Sequence, residues 1–298
     1  MKPFSIAGIQ MFVSAVHSNV EMMKHKIELT VSIYPWVDMI LFSELCAFGP
    51  LTSHALVDTT EFEQVFCKLA KKHAIWIVPG SLYTKRDDKI YNSTLAINPQ
   101  GEVVSRYDKL FPFYPYEEGV TPGTSFAYFD VPDIGRFGLT ICYDLWFPEI
   151  ARTLATHGVE VILHPTLTPT IDREVELAIV QATSATNQCF IFDVNGIGAG
   201  GNGRSSICGP EGRVLYTANV GEEIIPIELN MERVQRSREY GLLRLGQPLK
   251  SFRDCQVQFE IYQNKTPNAY LNSLGDLVKA PRKISLDKAL EQFDKPNN

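Results

Sequence analysis

Residues 137–149 read FGLTICYDLWFPE, and this stretch decides the fold class. It begins as an apolar strand that runs directly into Cys142, and Pro148 then marks the first turn of a helix that ends near Gly158. The apolar run 159–163 follows at once and predicts another strand. Strand, helix and strand in this order are typical of a βα-type domain with helices covering mixed sheets.

The rest of the chain continues this alternation. Apolar runs predict strands over 4–10, 38–42, 74–78 and 189–194. Apolar residues at helical spacing predict helices over 19–33, from Thr60 and over 173–187. Turn sequences at 98–101 and 209–212 predict two hairpins, and residues 111–136 predict a long structured loop. Nothing marks a boundary before about residue 230. We therefore expect one domain over 1–298, with 230–298 as a C-terminal extension or oligomerisation arm.

Composition excludes several classes of protein. The 298 residues are 45% hydrophobic and 21% charged with a net charge of −6, which is typical of a globular chain and argues against nucleic-acid binding. No apolar run approaches the ~20 residues that a membrane-spanning helix needs, and no signal peptide is evident. The six cysteines include no C-x-x-C pair. We expect free thiols, a cytoplasmic location and no metal site.

Cys142 is the first candidate for chemistry. A thiol between a strand and the start of a helix lies at a sheet edge, where backbone N–H groups lower its pKa and can bind a developing oxyanion. Burial as one more apolar side chain is the commoner fate of a cysteine. A Cys–His protease would need a base, and among the six histidines only His164, at the end of strand 159–163, is well placed.

Two other charged residues also follow predicted strands. Glu44 comes just after the run 38–42, where partial desolvation would raise its pKa towards the range that suits a general base. Lys109 follows the strand 103–107 and would stay cationic beside a carboxylate and a thiolate. Each is an ordinary surface residue when considered alone. Because ligands bind at strand ends in open α/β sheets, we expect Glu44, Lys109 and Cys142 to form one site.

With these residues in place, the chain resembles the nitrilase superfamily of carbon–nitrogen hydrolases. The resemblance runs in order from residue 4 to about 216. Its most specific element is Cys142-Tyr143-Asp144 with Phe147-Pro148-Glu149. The other matching segments are Leu41-Phe42-Ser43-Glu44, Phe48-Gly49-Pro50, Tyr91-Asn92-Ser93, Gly101-Glu102-Val103-Val104, Tyr107-Asp108-Lys109-Leu110, Glu118-Gly119, Pro122-Gly123, Arg152, Asn187, Asn195, Gly203-Arg204-Ser205 and Pro210-Glu211-Gly212.

The resemblance implies an α/β fold, a four-layer αββα sandwich with mixed sheets, in a homodimer or higher homo-oligomer. It implies a catalytic set of Glu44, Lys109 and Cys142, and it places a second glutamate, Glu118, next to the lysine. The backbone N–H of Tyr143 would help to bind the oxyanion. The expected substrate pocket is lined by Phe48, Tyr114, Tyr116, Trp146 and the 165–170 loop with Thr166.

The function implied is hydrolysis of a small amide through a cysteine thioester, which releases ammonia or an amine and needs no metal or cofactor. Tyr143-Asp144 favours an amide, since nitrile hydrolysers of the family more often have Trp-Glu there. A nitrilase, an N-carbamoyl amidohydrolase, an acyl transferase and a non-catalytic binding or assembly protein remain alternatives. Gly198–Gly203 fits G-x-G-x-x-G, but a strand follows it where a dinucleotide site needs a helix, so we expect no nicotinamide cofactor.

Overall fold

The computed structural model describes residues 3–114, 116–263 and 269–277. The helices in these ranges are α1 Val20–Ile33, α2 Thr60–His73, α3 Pro148–Thr156, α4 Arg173–Asn187, α5 Glu232–Tyr240, α6 Pro248–Arg253 and α7 Ala269–Ser273. The strands are β1 Phe4–Gln10, β2 Phe12–Val13, β3 Met39–Phe42, β4 Trp76–Val78, β5 Ser81–Arg86, β6 Lys89–Ile97, β7 Val103–Asp108, β8 Ala127–Val131, β9 Gly135–Leu139, β10 Val161–Thr166, β11 Phe190–Asn195, β12 Ile197–Gly198, β13 Gly201–Asn202, β14 Ser206–Cys208, β15 Val214–Thr217 and β16 Glu223–Leu229.

Two mixed sheets form the body of the molecule. The first has the strand order β16-β1-β3-β4-β6-β5, with β7 also paired to β6. The second has the order β15-β14-β11-β10-β9-β8. In each sheet three neighbouring strands are parallel, β1-β3-β4 in one and β9-β10-β11 in the other, so the carboxyl ends of each set meet at one edge.

The hydrophobic cores define the order of the layers. One core lies between the sheets, where Leu41 of β3 is clustered with Leu163 of β10. A second joins the outer face of the first sheet to α1 and α2, and a third joins the outer face of the second sheet to α3 and α4. Strands buried on both faces are apolar throughout, which explains runs such as Met39–Phe42. The predicted αββα sandwich with mixed sheets is confirmed.

The two-residue strands β2, β12 and β13 were not predicted from the sequence, and neither were three longer strands. β5 and β16 carry charged residues among the apolar ones, and β8 lies within the predicted loop 111–136. Each lies towards the edge of its sheet, and the burial of β8 alternates residue by residue. A short strand with polar residues on one face lacks the continuous apolar signal of the central strands.

The chain after residue 230 begins with α5, which packs on the body. Val234 is fully buried, and Arg238 donates a hydrogen bond to the carbonyl of Gln188. Residues 264–268 and 278–298 lie outside the described residues, so the single domain with a C-terminal arm over 230–298 stays a prediction. Within the described residues, no helix is both long enough and apolar enough to cross a bilayer.

Candidate active site

Glu44 lies two residues beyond β3, in a backbone turn held by several contacts. Its own N–H donates to the carbonyl of Thr166 at the end of β10, 3.2 Å away, which ties the two sheets together at this edge. Leu45 has a φ of +51°, and its N–H donates to the Ser81 hydroxyl at 3.0 Å. Gly80 packs so closely that a Cβ there would lie 2.0 Å from the Ser43 carbonyl oxygen. The turn is therefore closely packed around the carboxylate.

Lys109 directly follows β7, and its N–H donates to the carbonyl of Asn92 on β6 at 2.9 Å. Its side chain is 1% exposed. The Nζ atom lies 2.8 Å from Glu44 Oε1 and 2.7 Å from Glu117 Oε2, so the ammonium bridges two buried carboxylates. Asn92 Nδ2 donates to the same two glutamates at 2.7 and 2.8 Å. The lysine and the asparagine together hold the carboxylates in position.

Cys142 follows β9 and begins the 3-10 helix Cys142–Trp146. Its φ is +46°, a left-handed conformation that non-glycine residues adopt at a cost and that is found repeatedly at active sites. Asp144 stabilises this turn, because its carboxylate accepts hydrogen bonds from the N–H of Ile141 at 2.9 Å and the hydroxyl of Tyr107 at 2.7 Å. It also accepts from the N–H of Phe111 at 2.9 Å, which links the turn to the segment after Lys109.

These three side chains line one cavity of about 350 Å³. Glu44, Lys109 and Cys142 come from three separate strand ends, as expected from the sequence. Tyr116, Trp146 and residues 167–170 of the expected 165–170 loop line the same cavity, as does Tyr143, the expected oxyanion donor. The remaining lining residues are Leu45, Pro50, Tyr83, Phe113, Glu117, Asp172, Glu176, Gly198 and Ala199. The cavity walls are mostly apolar, with the charged groups at particular points.

Burial determines the charge of the groups in the cavity. It raises the pKa of Glu44 to about 7, although the neighbouring Lys109 ammonium opposes this shift. Burial also lowers the pKa of Lys109, but the charges of Glu117 and Glu44 outweigh that effect and raise it well above its usual value. The lysine is therefore a cation at neutral pH, and Glu44 is near the midpoint of its titration.

The Cys142 thiol is neutral in this state. Burial raises its pKa well above the usual value, and the negative charge of Glu44 raises it further. The sequence-based expectation of a lowered thiol pKa is therefore wrong, because burial outweighs the opposing effect of Lys109. A neutral thiol beside a carboxylate with a pKa near 7 suits proton transfer between the two as sulfur attacks.

The glutamate beside the lysine is Glu117 and not the expected Glu118. Glu118 is exposed, whereas Glu117 is 4% exposed and also accepts a hydrogen bond from the N–H of Phe113 at 2.6 Å. A tight turn produces this register, since the N–H groups of Tyr116 and Glu117 both donate to the carbonyl of Phe113. Two adjacent glutamates cannot be told apart by sequence pattern.

Two further expected pocket residues, Phe48 and Thr166, do not line this cavity, although Thr166 lines a small space that Cys142 and Trp146 also line. Phe48 packs on Phe62 of α2, with ring centroids 5.8 Å apart, and belongs to the core under that helix. Thr166 lies within β10 and is buried. Its carbonyl holds the N–H of Glu44, and its hydroxyl is 3.3 Å from His164 Nε2. Tyr114, the other expected lining residue, is absent from the set that lines the cavity.

His164 is not placed to act as the base of a Cys–His pair. It is buried, and Nδ1 lies 2.7 Å from the Thr140 hydroxyl. Burial, together with the charges of Arg173 and Lys109, lowers its pKa to about 3. A neutral imidazole between two threonines is a structural group, which removes the support for a Cys–His protease.

Sequence reasoning also missed Asn92, Asp144 and Glu176. Asn92 and Asp144 lie within motifs that carried the resemblance, but nothing in their spacing marked them as buried partners of charged groups. Glu176 lies in the first turn of α4, where an acidic residue is common for reasons unrelated to function. Only the folded chain shows that it faces the cavity.

The fold and this site define the class of protein. The sequence pattern described as "Carbon-nitrogen hydrolase" matches residues 5–239, and the chain belongs to that family. The chain is 30% identical over 178 residues to 2-oxoglutaramate amidase of Bacillus subtilis, an alignment that covers 58% of this chain and 68% of that protein. It is also 30% identical over 178 residues to the "Hydrolase in agr operon" of Staphylococcus aureus, over 57% of this chain and 68% of that one.

Solved structures show the same fold. Nit3 of Saccharomyces cerevisiae, described as a member of branch 10 of the nitrilase superfamily, superposes with a TM-score of 0.74 at 23% identity, over 80% of this chain and 94% of that one. An amidase from Nesterenkonia sp. superposes with a TM-score of 0.71 at 21% identity, over 78% and 92%. The match over residues 5–239 assigns the family, and one of the two 30%-identical relatives is named as an amidase.

Proposed function

We propose that the chain hydrolyses small amides through a thioester on Cys142, with Glu44 as the general base and Lys109 as the oxyanion donor. The observation that carries the proposal is the meeting of these three side chains in one cavity, with Lys109 Nζ 2.8 Å from Glu44 Oε1. The similarity to 2-oxoglutaramate amidase supports an amide as the substrate.

Acylation begins when the thiol sulfur attacks the amide carbonyl carbon and its proton moves to Glu44. The carbonyl oxygen becomes an anion. An ammonium has three donors, and two of those on Lys109 go to Glu44 and Glu117, which leaves one for the oxyanion. Tyr143 supplies a second donor, since the first N–H groups of a helix have no partner within it. The tetrahedral intermediate collapses to the thioester as Glu44 returns its proton to the leaving ammonia.

Deacylation repeats these steps with water as the nucleophile. Glu44, ionised again, takes a proton from the water as its oxygen attacks the thioester carbon. The same two donors stabilise the second oxyanion. Collapse breaks the carbon–sulfur bond and releases the carboxylic acid, and Glu44 returns its proton to the sulfur, which restores the thiol. Each donor that meets the oxyanion contributes about 3–4 kcal/mol to the stabilisation of such transition states.

A panel of matched substrates tests this proposal. We expect ammonia release from butyramide, much slower release from butyronitrile and from N-carbamoyl propylamine, and none from butyramide with Cys142→Ser. If ammonia were released faster from the nitrile, the protein would be a nitrilase and not an amidase. If it were released faster from the carbamoyl compound, the protein would be an N-carbamoyl amidohydrolase. Absence of both ammonia and an acyl adduct on Cys142 with every member would favour a non-catalytic protein.

The pH dependence follows from the raised pKa of Glu44. A general base must be ionised, so kcat/KM for butyramide should fall about tenfold per unit as the pH drops below 7. Lys109 stays cationic in this range because its pKa is raised. A pH profile of kcat/KM from 5 to 9 measures the midpoint. A midpoint near 4.5, the ordinary value for glutamate, would contradict Glu44 as the base.

We further propose that the protein is a cytoplasmic homodimer or higher homo-oligomer. Each cysteine of the described residues is free, as expected of a chain in a reducing compartment. Leucines beyond residue 240 are largely exposed, among them Leu243 at 80% and Leu245 at 78%, as they would be in an arm that binds a second copy. Light scattering of the full chain and of a chain ending at residue 241 tests the oligomer.

A further inference from the structure

The cavity has a second charged region, away from the Glu44–Lys109 pair. Glu176 and Asp172 line it together with Thr168 and Thr170. The Glu176 side chain is 11% exposed. Lys109 is the sole basic residue among the lining residues of the described chain, and both its carboxylate partners lie at the catalytic end. A substrate that reaches this second region meets carboxylates and hydroxyls there.

The position of Glu176 is rigidly held. Trp146 Nε1 donates to its Oε1 at 3.3 Å, and Arg173 Nη1 lies 3.3 Å from its Oε2. Arg173 does not neutralise it fully, because the same guanidinium is shared with the buried carboxylate of Asp193. One cation thus serves two carboxyls, and burial raises the pKa of both, so the group is net negative when both are ionised. Two buried carboxyls beside one guanidinium take up either a proton or a further cation, and an ammonium group of a substrate would keep both ionised.

An independent feature of the same wall also points to a ligand. The Thr168 hydroxyl is buried and lines the cavity beside Glu176, where it lowers the pKa of that carboxyl, although no partner lies within ordinary hydrogen-bond geometry of it. Its backbone is pinned by Asn195, which donates to the Thr168 carbonyl at 3.1 Å and accepts from its N–H at 3.0 Å. A hydroxyl whose hydrogen faces a carboxylate keeps its lone pairs as acceptors, and a substrate N–H placed beside Glu176 would satisfy them.

The aromatic walls between the two regions suit the same kind of ligand. Tyr143 lies 5.9 Å from Trp146 and 4.9 Å from Phe113, measured between ring centroids. Faces of such rings attract ammonium and guanidinium groups, whereas a carboxylate gains nothing from them. The charge of Glu176 contributes to the raised pKa of the Cys142 thiol, so the two groups are close enough for one short substrate to span them.

Resting on the amidase function proposed above, we infer that Glu176 and Thr168 bind a cationic amino group at the far end of the substrate. The preferred substrates are then short amides of the form ⁺H₃N–(CH₂)n–CONH₂. Hydrolysis adds water across the C–N bond and gives the ω-amino acid and ammonia. This class differs from 2-oxoglutaramate, which carries a carboxylate at the end away from its amide.

The experiment compares kcat/KM for three matched amides: 4-aminobutanamide, its neutral isostere pentanamide and the anionic glutaramate, with the 5- and 6-carbon ω-amino amides as a length series. We expect the best ω-amino amide to exceed its neutral isostere about tenfold or more, as a hydrogen bond to a charged group allows. Glutaramate should be the poorest. The ratio of cationic to neutral kcat/KM should fall to about one in Glu176→Gln.

Glu174→Gln is the matched control. Glu174 is exposed on the same helix, two residues away, and pairs with Arg204 outside the cavity. Its substitution should leave the ratio unchanged. Should Glu176→Gln fail to fold, competition in the wild-type protein decides: butylammonium should inhibit pentanamide hydrolysis at least tenfold more strongly than butyrate.

Three results would overturn the inference. These are a wild-type preference for glutaramate, a cationic-to-neutral ratio near one, and a high ratio that survives in Glu176→Gln. All three leave the amidase proposal standing, because pentanamide is still hydrolysed. Loss of turnover with every amide instead rejects the amidase proposal, and with it the inference that depends on it.

Discussion

Cys142→Ala is expected to abolish amide hydrolysis and leave the fold intact. The variant has no nucleophile, so kcat should fall by at least about a thousandfold. The change removes one sulfur atom from a residue that begins a turn held by Asp144, so the free energy of unfolding should change by no more than about 1.5 kcal/mol. Ammonia release and urea titration measure the two quantities.

The strained backbone at Cys142 adds a second expectation. Glycine adopts a φ of +46° without the penalty that a side chain carries, so Cys142→Gly should be more stable than Cys142→Ala by up to about 1 kcal/mol. Both variants should be equally inactive. A gain in stability on removing the nucleophile would show that the fold tolerates strain in order to hold the sulfur in the cavity.

The other cysteines supply the controls. Cys208 is buried in the core beneath α4, and Cys208→Ala should retain activity. Cys255 is exposed and would react with any added electrophile, so mass spectrometry of trapped acyl adducts is best done in a Cys255→Ser background. An adduct at a position other than Cys142, or turnover by Cys142→Ala above one per cent of wild type, would contradict the proposed nucleophile.

The central part of the fold could be predicted from the sequence. Strands such as Met39–Phe42 and Val161–Thr166 are buried on both faces, so they appear as unbroken apolar runs that need no tertiary information. The positions of Glu44, Lys109 and Cys142 followed from these runs, since each residue comes just after a strand. Edge strands such as Ala127–Val131 carry a weaker signal and were missed.

The contacts inside the site could not be predicted in the same way. Which of Glu117 and Glu118 meets the lysine depends on a single turn at Phe113. Phe48 is an aromatic residue of the kind that lines pockets, but it packs against α2 and belongs to a hydrophobic core. The neutral state of the Cys142 thiol depends on how completely the folded chain excludes water. These properties arise from three-dimensional packing, which local sequence pattern does not encode.

Lys109→Met is expected to destabilise the protein strongly as well as inactivate it. The substitution keeps most of the apolar volume but removes the cation between Glu44 and Glu117, so the net charge of the buried cluster with Glu44 ionised changes from −1 to −2. Removing one partner of a buried ion pair costs about 3–5 kcal/mol because it leaves charge uncompensated. Urea titration at pH 7 and at pH 5.5 measures the loss, which should be smaller at the lower pH, where a proton can replace the lysine.

The double variant Lys109→Met/Glu117→Gln separates the two roles of the lysine. With Glu117 uncharged, the cluster returns to a net charge of −1, so at least half of the lost free energy of unfolding should be recovered. Activity should not return, since the donor that meets the oxyanion is still missing. The single variant Glu117→Gln is the control, because it shows the effect of losing that carboxylate alone. If the double variant instead regained activity to within tenfold of Glu117→Gln, Lys109 would be a structural counter-charge and the oxyanion would be bound by other groups.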